Sequence, residues 1–317
     1  MTSVNILVTG GAGFIGSHLL RSLNLYKNFT ITAIDSFHGY YSRERKLDQL
    51  EMAGAGFEFI ELDLLNEKNV MELFENKKFD TVIHLAAIPG VPKSIQNPHE
   101  YIDLDIKATV NILNASGRTK VKHVIFASSS SVYGNQGHRP LKESDANGQV
   151  VSPYAASKWS AESFCHAYRH LYGFDLSILR FFTVYGPWGR PDMAIPLFVK
   201  KMLKGEPVSV FSKGTARDYT YIDDIITGIL SVMKRPKESQ VFNLGSGKPV
   251  SIEQLIETFR LFIPQLETIE LPHRLGDVQS TWADINKAEK DLNFEPSISI
   301  SEGIERTIEW AKTYERF

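Results

Sequence analysis

The chain has 317 residues, of which 43% are hydrophobic, and this is enough for a substantial core of the kind that globular proteins have. Its 35 basic and 37 acidic residues give a formal net charge of −2 without a long run of one sign, which excludes an electrostatic surface for nucleic acid or an anionic membrane. No segment approaches the roughly 18 apolar residues of a membrane-spanning helix and no leader-like stretch opens the sequence, so we expect a cytoplasmic protein.

The first half of the sequence alternates short apolar runs with longer amphipathic segments, which predicts a parallel sheet with helices on both faces. The predicted strands are Asn5–Thr9, Thr30–Asp35, Phe57–Leu62, Thr81–Leu85, His123–Ser128 and Leu176–Arg180. Helices are predicted to begin near Phe14, Glu67, Asn97 and Ser152, with a polar helix from Ser42 to Ala53. The predicted fold class is therefore α/β, with a doubly wound parallel sheet.

After Arg180 the sequence is divided by Pro and Gly into short segments, which suit a binding lobe better than more sheet core. We expect residues 1–180 to form the cofactor-binding domain and residues 181–317 to form mainly a smaller α/β substrate lobe. A segment near residues 219–245 is expected to return to the first domain. The later features are an apolar run, a predicted strand and a closing amphipathic helix: Asp224–Met233, Val241–Leu244 and Ser301–Thr313.

Some residues with reactive side chains are assigned to packing. Cys165 is the sole cysteine, so no intramolecular disulfide can form, and its helix-like setting predicts a packed, unreactive thiol. His84 ends a predicted buried strand and is expected to be a hydrogen-bonded core histidine rather than a base. No cluster of His, Cys or carboxylate residues has metal-ligand spacing, so no metal is predicted.

A glycine-rich turn follows the first predicted strand, with Gly10, Gly13 and Gly16 as its spaced glycines and Phe14 and Ile15 opening the helix. Such glycines let the backbone turn sharply and bring a dinucleotide pyrophosphate against the amides of a helix N-terminus, where the helix dipole favours negative charge. The turn therefore predicts a dinucleotide site.

The second predicted strand ends in Asp35, nineteen residues after Gly16. A carboxylate there can accept hydrogen bonds from the adenosine ribose and would repel a 2′-phosphate, which favours NAD over NADP. The alternative is that Asp35 is only a turn residue before Ser36. The residues after the third and fourth strands are assigned to the same cofactor site: Asp63, Leu64, Leu85, Ala86 and Ala87.

Tyr154 and Lys158 stand four residues apart at the start of a predicted helix and share one face. A phenol with a free pKa of roughly 10 is a poor base at neutral pH, but a nearby ammonium and a positive nicotinamide favour its ionised form. Tyr154 can then take a proton from a sugar hydroxyl while hydride leaves the same carbon for NAD. At the preceding strand end, Ser129 is expected to hydrogen-bond the reacting oxygen and Ser128 to contact the cofactor.

Together these residues resemble the extended short-chain dehydrogenase/reductase superfamily, specifically its NAD-dependent epimerase/dehydratase family. The resemblance extends over essentially the whole chain and is closest to the UDP-glucuronate 4-epimerases. It rests on Ala127–Gly134, on the long stretch Leu179–Ala194, and on segments similar to the family's nucleotide-binding segments, Arg217–Asp224 and Arg274–Asp277. It implies a Rossmann-like fold with a smaller C-terminal α/β substrate lobe.

The resemblance implies oxidation of a UDP-sugar at carbon 4 by NAD, rotation of the 4-keto sugar and return of the hydride to its other face. Carried over by position, Ser129, Tyr154 and Lys158 are the implied catalytic set. The implied substrate-binding residues are Ser130, Ser131 and Thr183 at the carbon 6 substituent, Arg190 on the nucleotide sugar, and Arg217 and Arg274 on the diphosphate. A homodimer through the helices beginning near Asn97 and Ser152 is implied as well.

The serines after the catalytic hydroxyl distinguish members of this family. Relatives that dehydrate at carbons 4 and 6 carry an acidic pair directly after that hydroxyl, and relatives that decarboxylate UDP-glucuronate carry a glutamate two places after it. Here these places are Ser130 and Ser131, so epimerisation of UDP-glucuronate to UDP-galacturonate is favoured. The 4-keto uronic acid is a β-keto acid prone to lose carbon dioxide, and we expect neutral hydroxyls to hold its carboxylate poorly oriented for cleavage.

Two departures from the family pattern leave alternatives open. Gly90–Ser94 reads Gly-Val-Pro-Lys-Ser where these epimerases usually read Gly-Val-Arg, an arrangement closer to N-acetylhexosamine 4-epimerases. Either Lys93 supplies the missing charge to the substrate or the hexose differs. Asp105 stands where relatives usually place an asparagine. The alternatives are a UDP-N-acetylhexosamine 4-epimerase, a 5,6-dehydratase or reductase on the same scaffold, and a non-catalytic NAD-binding regulator.

Overall fold

A computed structural model describes residues 3–211, 214–235, 239–272, 278 and 280–314. Seven strands form one parallel sheet: β1 (Val4–Thr9), β2 (Phe29–Asp35), β3 (Glu58–Glu61), β4 (Thr81–His84), β5 (His123–Ser129), β6 (Asp175–Phe181) and β10 (Ser239–Leu244). Their order across the sheet is β10-β6-β5-β4-β1-β2-β3. The chain therefore winds outward from β1 to β3 and then from β4 to β6 on the other side, which leaves a crevice at the carboxyl ends of β1 and β4.

The strands follow the apolar runs of the sequence. In β1 the side chains of Ile6, Leu7 and Val8 are all fully buried, because a parallel strand with helices on both faces has no solvent side. Val8 pairs with Ala33 on one side and with Ile83 on the other. The predicted doubly wound α/β sheet is confirmed, and the predicted strand bounds agree to within one or two residues.

Helices cover both faces of this sheet. They are α1 (Phe14–Leu23), α2 (Arg43–Ala53), α3 (Glu67–Lys77), α4 (Val91–Gln96), α5 (Pro98–Tyr101), α6 (Ala108–Arg118), α7 (Pro153–Tyr172) and α9 (Ile222–Met233). Local sequence sets their starts: the Ser42 and Ser152 side chains accept hydrogen bonds from backbone N–H groups in the first turns of α2 and α7. The helix expected near Asn97 is less regular than predicted, because a π-helical turn at Ile102–Lys107 separates α5 from α6.

The remaining elements belong to the C-terminal half: α8 (Ala194–Leu203), α10 (Ile252–Arg260), α11 (Asn286–Leu292), α12 (Ile300–Thr313), β7 (Thr183–Tyr185), β8 (Val208–Phe211), β9 (Ala216–Tyr221), β11 (Pro249–Ser251), β12 (Thr268–Leu271) and β13 (Ser280–Thr281). Strand β9 pairs with β7, β11 and β13, and β8 pairs with β12. The fully buried Asp218 carboxylate accepts backbone N–H groups from Ser246, Gly247 and Ala283, which ties β9 to the segments that follow β10 and β13.

Two side chains assigned to packing are indeed packed. The Cys165 thiol is fully buried, and burial raises its pKa. His84 lies between the hydroxyls of Thr9 and Thr109, at 2.7 and 3.0 Å, and burial lowers its pKa to about 3. The prediction of a core histidine is therefore confirmed. None of the helices in the described ranges is both long and apolar enough to cross a bilayer.

Candidate active site

A cavity of about 420 Å³ lies at the carboxyl ends of the central strands, where the strand order reverses. Its lining gathers most of the residues that the sequence assigns to cofactor, catalysis and substrate: Gly10, Gly13, Phe14, Ile15, Gly16, Asp35, Asp63, Leu64, Leu85, Ala86, Ala87, Ser128, Ser129, Ser130, Ser131, Tyr154, Lys158, Thr183, Arg190 and Arg217. The assigned residues, which are spread over more than 200 positions of sequence, therefore share one site.

The glycine-rich turn forms one wall of this cavity, and two of its glycines are required by close backbone approach. Gly10 has φ +71°, and a Cβ there would lie 2.8 Å from the backbone nitrogen of Ala86 on the neighbouring strand end. A Cβ on Gly16 would lie 2.1 Å from the Gly10 carbonyl oxygen. Any side chain at either position would force the turn open.

The start of α1 fits the pyrophosphate of NAD. Gly13 precedes the helix and gives it no side-chain cap, so the N–H groups of its first turn, at Phe14, Ile15 and Gly16, have no acceptor within the helix. All three residues line the cavity. A helix N-terminus with uncapped amides and a positive dipole end binds a phosphate group.

Asp35 is held in place by a cation that the sequence analysis did not assign. Its Oδ1 accepts the Phe37 N–H at 2.8 Å and lies 3.2 Å from the Lys46 ammonium on α2. Because both contacts use Oδ1, the second carboxylate oxygen can accept hydrogen bonds from a ribose. Lys46 lines the same end of the cavity as Asp35 and was not among the predicted residues.

Tyr154 and Lys158 lie in the first two turns of α7, as their spacing predicts. The Lys158 side chain is buried, and its ammonium donates to the Ala127 carbonyl at 3.1 Å. The Tyr154 ring stands edge-on to the Tyr101 ring with centroids 6.1 Å apart. The helix therefore presents a phenol and a buried ammonium to the cavity on one face.

The serines after β5 bring neutral hydroxyls to the same end of the cavity. Ser129 Oγ accepts the Ser131 N–H at 3.2 Å, so its own hydroxyl hydrogen is available to a reacting oxygen. The Ser131 hydroxyl is buried and has no hydrogen-bond partner among the described residues. An unpaired buried hydroxyl beside a cavity is available to hydrogen-bond a polar group of a ligand.

Ser128 lines the cavity, but its hydroxyl points elsewhere. It donates to Glu162 on α7 at 2.5 Å, and Glu162 pairs with the Arg180 guanidinium at 2.7 and 3.0 Å. This buried network fixes the end of β5 against α7 and β6. A contact between Ser128 and the cofactor would therefore have to use its backbone.

Arg190 reaches the cavity from the loop between β7 and α8. Its guanidinium lies 2.6 Å from Asp192, whose other hydrogen-bond donor is the Tyr40 hydroxyl at 2.8 Å. Burial acts to raise the pKa of the Asp192 carboxyl, but Arg190 and Tyr40 outweigh it and hold that pKa below its ordinary value. Glycine is favoured at position 90 beside this cluster, because its φ is +105° and a Cβ there would also crowd the Tyr40 hydroxyl.

Lys93 is the predicted substrate residue that the described structure does not bring into the cavity lining. Its ammonium lies 3.7 Å from Glu100 and 4.7 Å from the centre of the Tyr40 ring. The side chain is therefore engaged at the rim. Arg274 lies outside the described residues. Arg217 lines the cavity and donates to the Ala216 carbonyl.

Sequence reasoning also missed several lining residues: His38, Tyr40, Tyr41, Lys46, Val278 and Thr281. Tyr40 and Tyr41 are adjacent aromatic residues that begin five residues after the end of β2, and this position could have indicated that they line the cofactor cavity. Among the described residues, no group of three or more His, Cys, Asp or Glu side chains is arranged to hold a metal ion.

Comparisons with known proteins agree with this site. The model of a family described as the NAD dependent epimerase/dehydratase family matches residues 6–245. A UDP-glucuronate 4-epimerase from Thermodesulfobacterium geofontis is 42% identical over 312 residues, covering 96% of this chain and 95% of that protein.

Similar solved structures include the UDP-glucuronic acid 4-epimerase from Bacillus cereus in complex with UDP-glucuronic acid and NAD. It is 36% identical with a TM-score of 0.92, and the match covers 98% of this chain and 99% of that one. The UDP-N-acetylglucosamine 4-epimerase from Methanobrevibacter ruminantium M1, in complex with UDP-N-acetylmuramic acid, is 30% identical with a TM-score of 0.88, and each chain is covered to 99%. From its fold, its cavity and these matches, the chain belongs to the NAD-dependent epimerase/dehydratase family.

Proposed function

We propose that the protein is an NAD-dependent UDP-glucuronate 4-epimerase, which interconverts UDP-glucuronate and UDP-galacturonate. The observation that carries this proposal is the chemistry around Tyr154: a phenol, a buried ammonium and a set of neutral hydroxyls face one end of the cavity. Among the described lining residues the carboxylates are Asp35 and Asp63, which lie at the other end.

The distance between the two ends disfavours elimination and decarboxylation. Strand β2, which ends in Asp35, is three places from β5, which ends in Ser129. At about 4.8 Å for each step between strands, the two residues are roughly 14 Å apart. An acid or base that removes water or carbon dioxide must reach the reacting sugar within hydrogen-bond distance, so these carboxylates cannot serve.

Three side chains, those of Tyr154, Ser129 and Lys158, are proposed to act at carbon 4 of the sugar. Tyr154 takes the proton of the 4-hydroxyl and later returns it, while Ser129 donates a hydrogen bond to the same oxygen. Lys158 presents its buried ammonium to the same end of the cavity. Bound NAD, which the glycine-rich turn and Asp35 would hold, would supply the hydride chemistry at carbon 4.

The hydroxyls of Ser130, Ser131 and Thr183 are proposed to hold the carbon 6 carboxylate. A carboxylate that accepts several hydrogen bonds stays charged. Loss of carbon dioxide requires the bond between carbon 5 and the carboxylate to align with the π orbital of the carbonyl at carbon 4, that is, to stand out of the carbonyl plane. Hydroxyls that keep the carboxylate near the ring plane oppose that alignment. The unpaired Ser131 hydroxyl supports this assignment, because a bound carboxylate would satisfy it.

The test is to incubate the purified protein with UDP-glucuronate without added cofactor, separate the nucleotide sugars and determine their masses. An isomer of equal mass that co-elutes with UDP-galacturonate is the expected product. A product of lower mass would indicate elimination or decarboxylation. Bound NAD without any turnover would indicate a regulator and overturn the enzymatic assignment.

A UDP-N-acetylhexosamine 4-epimerase is the second candidate. It is supported by the sequence of Gly90–Ser94 and by the position of Lys93, which adds no charge to the cavity lining. UDP-N-acetylglucosamine in the same assay separates the two candidates. Isomerisation of that sugar with UDP-glucuronate untouched would move the assignment to the N-acetylhexosamines.

We also propose that the protein is a homodimer through α6 and α7. One face of α7 carries apolar and aromatic side chains at helical spacing, Phe164, Tyr168, Leu171 and Tyr172, and three of them are exposed. Light scattering should give twice the chain mass, and Leu171→Glu should give the monomer. Leu261→Glu, which replaces an equally exposed leucine in the C-terminal half, is the matched control.

We propose that the two domains hold different parts of the ligands. Residues 1–180, with a returning segment near residues 219–245, would hold NAD, and residues 181–317 would mainly hold the nucleotide sugar. Pairing of β10 with β6 supports the return of that segment to the first domain. The cytoplasmic location expected from the sequence stays a prediction.

A further inference from the structure

Asp105 is a buried carboxyl group that the proposed reaction does not use. It lies in the π-helical turn between α5 and α6 and is 1% exposed. Its Oδ1 accepts the Ile88 N–H at 2.9 Å, and its Oδ2 lies 2.7 Å from the Ser157 hydroxyl on α7. The carboxyl therefore connects the loop after β4, which lines the cavity, to the helix that carries Tyr154 and Lys158.

The Ser157 hydroxyl has one hydrogen and two neighbouring acceptors. It lies 2.7 Å from Asp105 Oδ2 and 2.9 Å from the Tyr154 carbonyl oxygen. If Asp105 is ionised, the hydroxyl can donate fully to only one of them. If Asp105 carries a proton, Asp105 donates to Ser157 Oγ and Ser157 donates to the Tyr154 carbonyl, so every group is paired.

The surroundings of the carboxyl also favour its neutral form. Its two polar contacts are a backbone amide and a hydroxyl, and neither is a cation. An ionised carboxylate in such a site loses its hydration without an ion pair to replace it. Burial accordingly raises the pKa of Asp105 above its ordinary value, although the charge of Lys158 acts in the opposite direction.

We propose that Asp105 is a positioning residue that acts as a neutral carboxylic acid, donating its proton to Ser157 and so fixing the first turn of α7 against the loop after β4. In this form it has the hydrogen-bonding pattern of an asparagine. Its carbonyl oxygen accepts the Ile88 N–H and its hydroxyl replaces the amide donor.

Loss of this proton would change the active site. The Ser157 hydroxyl would turn from the Tyr154 carbonyl to the carboxylate, and a negative charge would appear among the titratable groups that surround it: Lys158 and Tyr154 on α7, Tyr101 on α5 and His84 at the end of β4. A negative charge there offsets the positive charge that Lys158 presents to the same end of the cavity. Turnover should therefore fall wherever Asp105 loses its proton.

The variant that tests this is Asp105→Asn, which keeps both hydrogen bonds and cannot ionise. Because the turnover assay rests on the proposed epimerase function, kcat is measured for UDP-glucuronate from about pH 6 to about pH 10. Asp105→Asn should match the wild type at neutral pH, and should stay active at any higher pH at which the wild type declines through loss of the Asp105 proton. Asp105→Leu, which has no donor, should lose about tenfold or more at every pH. An Asp105→Asn protein with a kcat at neutral pH about tenfold or more below that of the wild type would overturn the proposal.

A second measurement is independent of turnover, so failure of the proposed function leaves it intact. A carboxyl whose pKa is higher in the folded than in the unfolded chain binds more protons in the folded state, and its contribution to stability falls as pH rises above about 4. The Tm of the wild type should therefore fall relative to Asp105→Asn as pH rises from about 4 to about 8. A Tm that rises relative to Asp105→Asn would show a stabilised carboxylate and overturn the neutral form.

Discussion

The Lys46 ammonium lies 3.2 Å from Asp35 Oδ1, and each of the two side chains is 8% exposed. The pair joins the end of β2 to α2, at the end of the cavity that is expected to hold the adenosine of NAD. It holds the carboxylate that is expected to select NAD in one orientation. Removing one partner of a buried ion pair strongly destabilises the folded protein, because the remaining charge is then buried and unpaired.

Lys46→Met should therefore destabilise the protein by about 3 kcal/mol, since it leaves the Asp35 carboxylate buried without its cation. It should also weaken NAD binding, because Asp35 would lose its fixed orientation. Urea unfolding measures the first effect and calorimetric titration with NAD measures the second.

The matched control is Lys68→Met, the same substitution in an exposed pair with Glu72 one turn along α3. This pair lies in water, so its loss should change the free energy of unfolding by less than about 1 kcal/mol. Equal effects of the two substitutions would contradict a structural role for the Asp35–Lys46 pair.

Tyr154→Phe should lower kcat by roughly 10²- to 10⁴-fold, because it removes the group that accepts and returns the proton. The ring remains, so its packing against Tyr101 and the NAD content of the purified protein should not change. Tyr168→Phe removes a phenol hydroxyl from the same helix outside the cavity and serves as the control. A Tyr154→Phe protein with wild-type kcat would remove Tyr154 from the proposed mechanism.

Features that depend on local chain geometry could be predicted from the sequence. Strands such as β1 are read from unbroken apolar runs, because a parallel strand is buried on both faces. The dinucleotide turn depends on the positive φ of Gly10 and on the absence of a side chain at Gly16. Tyr154 and Lys158 share a face because any helix brings residues four apart together.

Features that depend on contacts between distant segments could not be predicted from the sequence. The Asp35–Lys46 pair forms only because the chain between β2 and α2 folds back, with Phe37 at φ +50°. The loop that carries Arg190 is clamped by side chains of α1 and α2: His18 contacts the carbonyl of Pro187, Gln49 that of Trp188 and Arg45 that of Gly189. These partners are more than 130 residues apart in the sequence, and no local sequence pattern indicates that they are in contact. The direction of the Lys93 side chain is likewise set by contacts with Glu100 and Tyr40, and its assignment to the substrate stays a prediction.

The buried histidines should make the protein sensitive to acid. Burial lowers the pKa of His18 and His123 to about 4 and that of His84 to about 3, whereas an unfolded histidine titrates near 6.5. Between these values the unfolded chain binds more protons, so stability is fully present above about pH 6.5 and falls as pH decreases. Each histidine should remove about 2 kcal/mol from the free energy of unfolding between pH 7 and pH 5.

His123→Gln tests this expectation, because it removes one of the three titrations while leaving a polar side chain beside Ser177. The loss of stability between pH 7 and pH 5 should be smaller in this variant than in the wild type by about 2 kcal/mol. His170→Gln, at an exposed position near the end of α7, should follow the wild type. If all three proteins lost stability equally, His123 would titrate alike in the folded and unfolded states.

Thr183→Val tests how the site keeps a β-keto acid from losing carbon dioxide. Valine has the shape of threonine without its hydroxyl, so β7 should keep its pairing with β9 while the carbon 6 carboxylate loses one hydrogen bond. A hydrogen bond to a charged group is worth about 1.5 kcal/mol or more, so KM for UDP-glucuronate should rise by about tenfold. Binding of UDP alone, which has no carboxylate, should not change.

The same variant should alter the products. With the carboxylate less firmly held, more of the 4-keto intermediate can reach the orientation that allows cleavage. In that orientation the bond between carbon 5 and the carboxylate aligns with the π orbital of the carbon 4 carbonyl. Loss of carbon dioxide from the 4-keto sugar, followed by return of the hydride from NADH and of a proton, would give a UDP-pentose lighter than UDP-galacturonate by one carbon dioxide. Without that return the released product is a UDP-4-keto-pentose, lighter by two further hydrogens. Mass spectrometry of the separated products measures their ratio to UDP-galacturonate. A Thr183→Val protein with unchanged KM and no decarboxylated product would show that retention of carbon dioxide does not depend on this hydroxyl, and the carboxylate would have to be assigned to other residues of the cavity.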